Sequence, residues 1–282
     1  MEISTLPAPM GNRTFPAPMA NQAPIAVLAA SLIVALFTAS IGCGGGSSNR
    51  NLSYGDSAEA EYMAAYEDFE DGDCLDAEPA FRAVRREYPY SRYAALAELR
   101  IADCLLDQDK APEAIAAYRR FVRNRPSHDE VPYARFKIAE AYYKQIPDEW
   151  LLSPPSYERD QGPTREALRQ LRRFILDFPE DERIEESNEM VRASLELLAR
   201  HELYVADFYL ERDHPQAAVM RLETLINSYE GSGVEAEAML LLGRVHLAME
   251  ETEKAQETFE ELIDRYPESG HAEQARAFLR EF

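Results

Sequence analysis

The sequence predicts an all-α protein, a solenoid of about five stacked helix pairs. One frame recurs: an alanine, a large apolar residue four positions later, and usually an aromatic followed by a proline twelve positions after the alanine. In the fourth copy Glu230 replaces the proline. Recurrence of one such unit along a chain is typical of solenoids, in which each unit buries its apolar face against its neighbours. The five alanines are Ala77, Ala114, Ala167, Ala218 and Ala255.

Within each frame the spacing is that of an α-helix. Ala77, Phe81 and Val84 lie at i, i+4 and i+7, along one helical stripe. The alanine lets a second helix approach closely, and the proline cannot continue the helix. After the turn another apolar stripe begins, with Ala94 and Ala97 in its first turns. The two stripes together predict a two-helix unit.

The residues of this unit resemble a tetratricopeptide repeat. A small residue precedes the frame alanine by twelve positions, as Ala102, Ala206 and Gly243 do. The resemblance implies a tetratricopeptide α-solenoid in which the first helix of each pair lines the concave side.

The chain before the repeats predicts a secretory signal. Residues 1–24 are proline-rich, residues 25–41 are apolar or small, and Gly42, Cys43 and a Gly/Ser segment follow. This order resembles a bacterial lipoprotein signal, although Ser40 stands where such signals prefer leucine. The resemblance implies a signal peptide over 1–42, acylation of Cys43, a tether over 43–57 and, because Gly44 is not aspartate, the outer membrane. The alternative is an uncleaved membrane anchor, since the apolar run reaches the lower limit of about 17 residues for a span.

The repeat domain is expected over residues 58–282, beginning with a helix over 59–69. Between the second and third frames, extra residues rich in proline predict a loop insertion over 147–163. Between the third and fourth frames, residues 180–213 contain neither proline nor glycine and predict a long helix over about 182–212. A half-repeat with Ala275, Phe278 and Leu279 is expected to cap the stack.

These parts, in this order, resemble one family more closely. The resemblance rests on the stretches FRAVRREYPYSRYAALAELRIA, AEAYYKQIP, ERDQGPTREALRQLRRFILDFPE and LARHELYVADFYLERDHPQAAVMRLETLINSYE, which are similar to the BamD family of outer-membrane β-barrel assembly lipoproteins. It implies a non-enzymatic subunit of the Bam complex, lipid-anchored on the periplasmic face of the outer membrane. The implied partners are a barrel subunit of BamA type, other Bam lipoproteins and client outer-membrane proteins. The alternative is another periplasmic tetratricopeptide lipoprotein, a scaffold for envelope constriction or peptidoglycan synthesis.

Composition and motifs argue against nucleic-acid binding and catalysis. A net charge of −21 repels phosphate backbones. The sequence contains no HExxH, GxxxxGK[ST], GxGxxG or GxSxG motif, and its five histidines are scattered. We therefore expect no enzyme activity, cofactor or metal, and we expect His246, at a core helix position, to be packed in the core.

Aromatic residues on the first helices of two pairs predict a peptide-binding groove, because aromatic side chains suit an extended peptide ending in an aromatic. Packing between neighbouring helices is the alternative for some of them. Charge divides the chain as well: residues 81–125 carry ten Arg/Lys and six Asp/Glu, whereas residues 222–282 carry five and fourteen. This division suggests two partners of different character. The candidate groove residues are Tyr62, Tyr66 and Phe69 on the first pair, and Tyr133, Phe136 and Tyr143, expected to share a face, on the third.

Two cysteines lie within the repeats, Cys74 in the first turn and Cys104 in the first helix of the next pair. Buried free thiols are the favoured interpretation. A disulfide between them is the alternative, because the expected compartment is oxidising.

Overall fold

A computed structural model describes residues 53–147 and 153–281 of the chain. In these residues it contains eleven α-helices, one short 3-10 helix over Ser156–Glu158 and no β-strand. The signal peptide, Cys43 and most of the tether lie outside the described residues. The helices are α1 (Tyr54–Glu70), α2 (Cys74–Glu87), α3 (Arg92–Asp107), α4 (Ala111–Asn124), α5 (Val131–Tyr143), α6 (Gly162–Asp177), α7 (Ile184–Leu210), α8 (Pro215–Ser228), α9 (Glu235–Ala248), α10 (Thr252–Arg265) and α11 (Gly270–Leu279).

The helices form a stack in chain order. Each packs on the next, and α1 also packs on α3, as α9 does on α11. Five pairs therefore run from α1–α2 to α9–α10, and α11 is the half-repeat that covers the last one. The predicted all-α tetratricopeptide solenoid is confirmed.

The recurring frame marks the points of closest helix contact. All five frame alanines have an exposed fraction of 0%. The large apolar residues four positions later are equally buried, namely Phe81, Tyr118, Leu171, Leu222 and Phe259. At Gly243 even a methyl group is too large, because a Cβ there would come within 2.7 Å of Cζ of the Phe259 ring. The four-residue spacing between the alanine and the large apolar residue thus marks the closest helix contacts of the stack.

Three predicted boundaries shift. The first helix begins at Tyr54 rather than residue 59, because Ser53 caps it and shares a capping box with Asp56. The described part of the insertion after α5 is irregular apart from the 3-10 helix, but α6 already includes Gly162 and Pro163, since proline is tolerated in a first helical turn. The long helix is α7, over Ile184–Leu210.

In four of the five pairs, all except α5–α6, the turn has a left-handed residue five positions before the frame alanine. Gly72 has φ +80°, and Asp109, Asp213 and Glu250 have φ of 58°, 58° and 60°. Only the first of these turns uses glycine, the residue that tolerates this conformation at no steric cost. The chain therefore accepts backbone strain at three equivalent positions.

Cys74 and Cys104 form a disulfide, so the expectation of free thiols is wrong. The bridge joins the first turn of α2 to α3, with the two Cα atoms 5.1 Å apart. Both side chains are buried. The Cα separation lies within the range that a disulfide spans, and it arises because the helices of successive pairs pack side by side, which a sequence distance does not reveal.

Among the described residues, no helix combines the length and apolarity that crossing a membrane requires.

Candidate functional site

Three aromatic side chains of α1 form a row along one face of the helix, as their spacing predicts. The ring centroids of Tyr62 and Tyr66 are 5.9 Å apart, and those of Tyr66 and Phe69 are 5.8 Å apart. Tyr66 and Phe69 are partly exposed. These two residues can offer contact area to a partner.

Tyr62, the first residue of this row, belongs to the core. Its exposed fraction is 7%, and its ring centroid lies 5.4 Å from those of both Phe81 and Tyr93. Burial raises the pKa of Tyr62 to about 12. Tyr62 therefore does not belong to the predicted groove, because α2 and α3 cover the side of α1 on which it lies.

The structure separates the three aromatic residues predicted on α5, so the expectation of one shared face is wrong. Tyr133 is partly exposed, and its hydroxyl donates to Asp103 Oδ1 at 2.8 Å. Phe136 is 4% exposed and packs on Phe174 of α6, with ring centroids 5.6 Å apart. Tyr143 lies at the end of α5 in a different cleft, which α7 also lines. The neighbouring helices, rather than the spacing along α5, decide which ring stays accessible.

A buried ion pair lies beside Tyr133. Asp103 on α3 is 8% exposed, and Nη1 of Arg100 lies 3.1 Å from its Oδ2. Oδ1 of Asp103 accepts hydrogen bonds from the hydroxyls of Tyr118 and Tyr133. Buried charges require such pairing, because an isolated ion in a low-dielectric interior is strongly unfavourable.

The guanidinium of Arg100 lies between two aromatic rings of different helices. Its Cζ is 5.5 Å from the centroid of Phe69 on α1 and 5.0 Å from that of Tyr133 on α5. Two more cations approach Tyr133: Lys137 Nζ at 5.8 Å and Arg183 Cζ at 5.5 Å. Each such cation–π contact contributes about 0.5–1 kcal/mol at an exposed site. The rings and cations of α1, α3 and α5 thus form one surface.

This surface borders a cavity of 200 Å³ lined by Phe69, Asp103, Tyr133, Lys137 and Lys144, among others. We call the surface made by Tyr66, Phe69, Arg100, Tyr133 and Lys137 the aromatic groove. Its rings offer apolar contact area. Its two cations are each paired with a carboxylate, Arg100 with Asp103 and Lys137 with Glu140, and Lys144 beside them is 52% exposed. The combination suits a peptide that carries both an aromatic side chain and a carboxylate.

The titration behaviour of the site follows from burial. Burial raises the pKa of Asp103, while the positive charge of Arg100 and the two tyrosine hydroxyls oppose the rise. Burial, together with the charge of Asp103, also raises the pKa of Tyr118 and of Tyr133, so both hydroxyls remain donors. The groove therefore has fixed donors around one carboxylate. Among the described residues, no group of His, Cys, Asp or Glu side chains could hold a metal ion.

Arg100 and Asp103 are the residues that the sequence analysis missed. A signal for them exists in the sequence, because both stand inside a stripe whose neighbours Leu99, Ile101 and Ala102 are apolar. A charged pair at i, i+3 on a buried helix indicates that another helix supplies partners. The partners themselves, Tyr118 and Tyr133, are visible only in the folded chain.

The last helices have a different character. His246 is 5% exposed, and its Nδ1 lies 2.7 Å from Glu251 Oε2, so the prediction of a packed core histidine is confirmed. Outside this pair, α10 exposes a series of carboxylates, including those of Glu253, Glu257 and Glu260. The acidic end predicted from composition thus includes a solvent-facing surface on α10.

The stacked helix pairs, with aromatic side chains along their first helices, define a tetratricopeptide-repeat protein. Residues 240–281 match a family described as tetratricopeptide repeat. Residues 55–258 match the family YfiO, described as "Outer membrane lipoprotein". The match covers most of the chain, which therefore belongs to this family.

Curated relatives carry the name outer membrane protein assembly factor BamD. That of Caulobacter vibrioides is 26% identical over 222 residues, which is 78% of this chain and 70% of the relative. That of Neisseria gonorrhoeae is 23% identical over 215 residues, covering 76% and 80%. Among solved structures, the TPR2AB domain of yeast Sti1 in its pHSP90 complex aligns with 80% of this chain and 86% of that chain, at 11% identity and a TM-score of 0.42. The last similarity is too low to bear on function.

Proposed function

We propose that the chain is a non-enzymatic scaffold subunit of the outer-membrane β-barrel assembly complex. In this proposal Cys43 carries the lipid that holds the protein on the periplasmic face of the outer membrane. The repeats bind the barrel subunit and the terminal signals of client barrels. Membership of the outer membrane lipoprotein family and the BamD name of the relatives support this role.

The observation that carries the binding role is the position of Arg100 between Phe69 and Tyr133. An aromatic side chain of a client strand can pack on Phe69 and Tyr66, which are partly exposed. A carboxylate of the same peptide can then reach Lys144, which lines the adjoining cavity. Lys144 shares the carboxylate of Glu140 with Lys137, but 52% of its side chain is exposed. The groove therefore matches a peptide whose last residues are aromatic and negatively charged.

Peptide binding by two double variants tests the groove. Tyr66→Ala with Phe69→Ala removes its exposed rings and should weaken binding of a terminal-strand peptide by about 2 kcal/mol or more, as aromatic anchors do. Tyr204→Ala with Phe208→Ala is the matched control, because these rings on α7 are 39% and 41% exposed and lie outside the groove. Equal affinities for the two variants would contradict the assignment.

The acidic surface of α10 is the proposed docking site for the barrel subunit. Glu253→Lys with Glu257→Lys reverses two exposed charges there and should reduce recovery of the barrel subunit in pull-downs. Glu185→Lys with Glu189→Lys makes the same net change on exposed positions of α7 and should leave recovery intact. Loss of the barrel subunit from both variants would place the interface elsewhere.

The identity of the complex and the anchor have their own tests. Co-purification from detergent-solubilised envelopes should recover a large barrel protein with the chain. Recovery of cell-constriction or peptidoglycan-synthesis proteins without a barrel would favour the alternative scaffold role.

Cys43→Ser should leave a precursor or a soluble protein, whereas membrane retention of this variant would favour an uncleaved anchor.

A further inference from the structure

A second groove lies between α4 and the end of α5, on residues that the aromatic groove does not use. Its volume is 390 Å³, and it is lined by Pro112, Ile115, Ala116, Arg119, Arg123, Tyr142 and Gln145. The α4 residues follow one helical stripe, so a single face of this helix forms one wall, and Tyr142 and Gln145 form the other. Ile115, Ala116 and the Tyr142 ring give the groove apolar surface, and two arginines stand at its edge.

The two arginines differ in how they are held. Nη2 of Arg119 donates to the Tyr142 hydroxyl at 3.0 Å and lies 3.6 Å from the Glu166 carboxylate of α6. Arg119 is therefore positioned by α5 and α6 while 42% of its side chain remains exposed. Arg123 is exposed and forms no ion pair within the described part of the chain. Arg119 is thus held in a fixed position, and Arg123 is free to pair with a carboxylate of a ligand.

The surroundings of the groove are basic, against the trend of the whole molecule. α4 carries Arg119, Arg120 and Arg123 but one acidic residue, Glu113. Helix α6 reaches the groove through the contact of Glu166 with Arg119, and it also carries two exposed arginines, Arg165 and Arg172, that have no ion-pair partner among the described residues. In a chain of net charge −21, these arginines are a local excess of positive charge, which favours an acidic partner.

We propose that this basic groove, defined by Ile115, Ala116, Arg119, Arg123 and Tyr142, binds an acidic segment of a partner protein. The planar fork of arginine matches carboxylates, and Arg119 already lies against one in Glu166. A concave groove with an apolar floor accepts one apolar side chain of an extended peptide, whereas a flat bilayer surface cannot enter it. The occupant is therefore a peptide with glutamates or aspartates on either side of an apolar residue.

The test is a fluorescence-anisotropy titration of the full chain with a labelled peptide in which glutamates flank a leucine. The wild-type chain should bind it saturably and more weakly as salt rises. Arg123→Glu should weaken binding about tenfold or more, the loss expected for one charge-assisted contact. The matched control is Arg244→Glu on α9, another exposed arginine without an ion pair among the described residues, and it should change affinity less than about twofold.

A second variant separates the groove from diffuse charge. Ala116→Tyr fills the groove at an exposed position and changes no charge, so it should also weaken binding. Unchanged affinity in Ala116→Tyr, or equal losses in Arg123→Glu and Arg244→Glu, would overturn the proposal. A third result would also overturn it. If the chain did not bind the peptide, while its Cys43→Ser variant bound phosphatidylglycerol vesicles and lost that binding in Arg123→Glu, the surface would be a membrane contact.

Discussion

The disulfide between Cys74 and Cys104 should contribute several kcal/mol to the stability of the first two pairs. The bridged residues are 30 positions apart in sequence. The chain-entropy relation for a closed loop of this length gives about 3.6 kcal/mol at 25 °C. For a domain of this size each kcal/mol shifts the melting temperature by about 2–4 °C, so reduction should lower it by about 7–14 °C.

The assay compares thermal unfolding, followed by the helical circular-dichroism signal, with and without a reductant. Reduction leaves every side chain in place and removes one bond, so the comparison isolates the bridge. The Cys74→Ala, Cys104→Ala double variant is the control, and its melting curve should not respond to the reductant. Intact mass should rise by two hydrogen atoms on reduction in the wild type.

Two results would refute this reasoning. An unchanged mass after reduction under denaturing conditions would mean that the thiols are free. A mass change without a shift in melting would mean that the loop is already ordered in the unfolded chain, so that closing it saves little entropy.

Three further predictions concern the repeat and its electrostatics. Ala114→Leu should lower the free energy of unfolding by about 1–3 kcal/mol, because it overpacks a helix contact with no exposed surface. Ala116→Leu, on the exposed side of the same helix, should lower it by much less. Equal melting temperatures for the two variants would mean that the repeat phase is wrong. Glu250→Gly should raise the melting temperature, because it relieves a left-handed φ of 60° at an exposed turn, and a lower melting temperature would mean that backbone entropy outweighs strain there. Arg183 donates to Asp181 at 2.7 Å through Nε and Nη2 and lowers the pKa of that carboxyl. The ion pair stabilises the fold fully above the ordinary carboxyl pKa, and this stabilisation is lost as pH falls through the lowered pKa of Asp181. The wild type should therefore lose more stability on acidification than Asp181→Asn. Parallel profiles of unfolding free energy against pH for the two proteins would contradict this.

The sequence predicted which aromatic residues of the site share a helix face, but not which of them are exposed. The row of Tyr62, Tyr66 and Phe69 was predictable, because i, i+4 and i+7 positions share a helix face whatever surrounds them. Which of the three reaches solvent was not, because α2 and α3 cover Tyr62. The same holds for Phe136, which α6 covers.

The periodic features of this protein were determined by its sequence alone. Helical stripes, the frame alanines and the prolines are local patterns, and local patterns fix the number of pairs, their order and the long α7. The small residue that recurs twelve positions before the frame alanine even marks a tight contact, as Gly243 does against Phe259.

Only the tertiary structure decided which distant residues meet. The Cys74–Cys104 bridge, the Asp103 bonds to Tyr118 and Tyr133, and the Arg119 contact with Tyr142 each join different helices. Their formation depends on the rotation and offset of one helix against the next, which are set by the sum of many packing contacts. A helical period specifies the face on which a residue lies, but the residue opposite that face is supplied by another part of the chain.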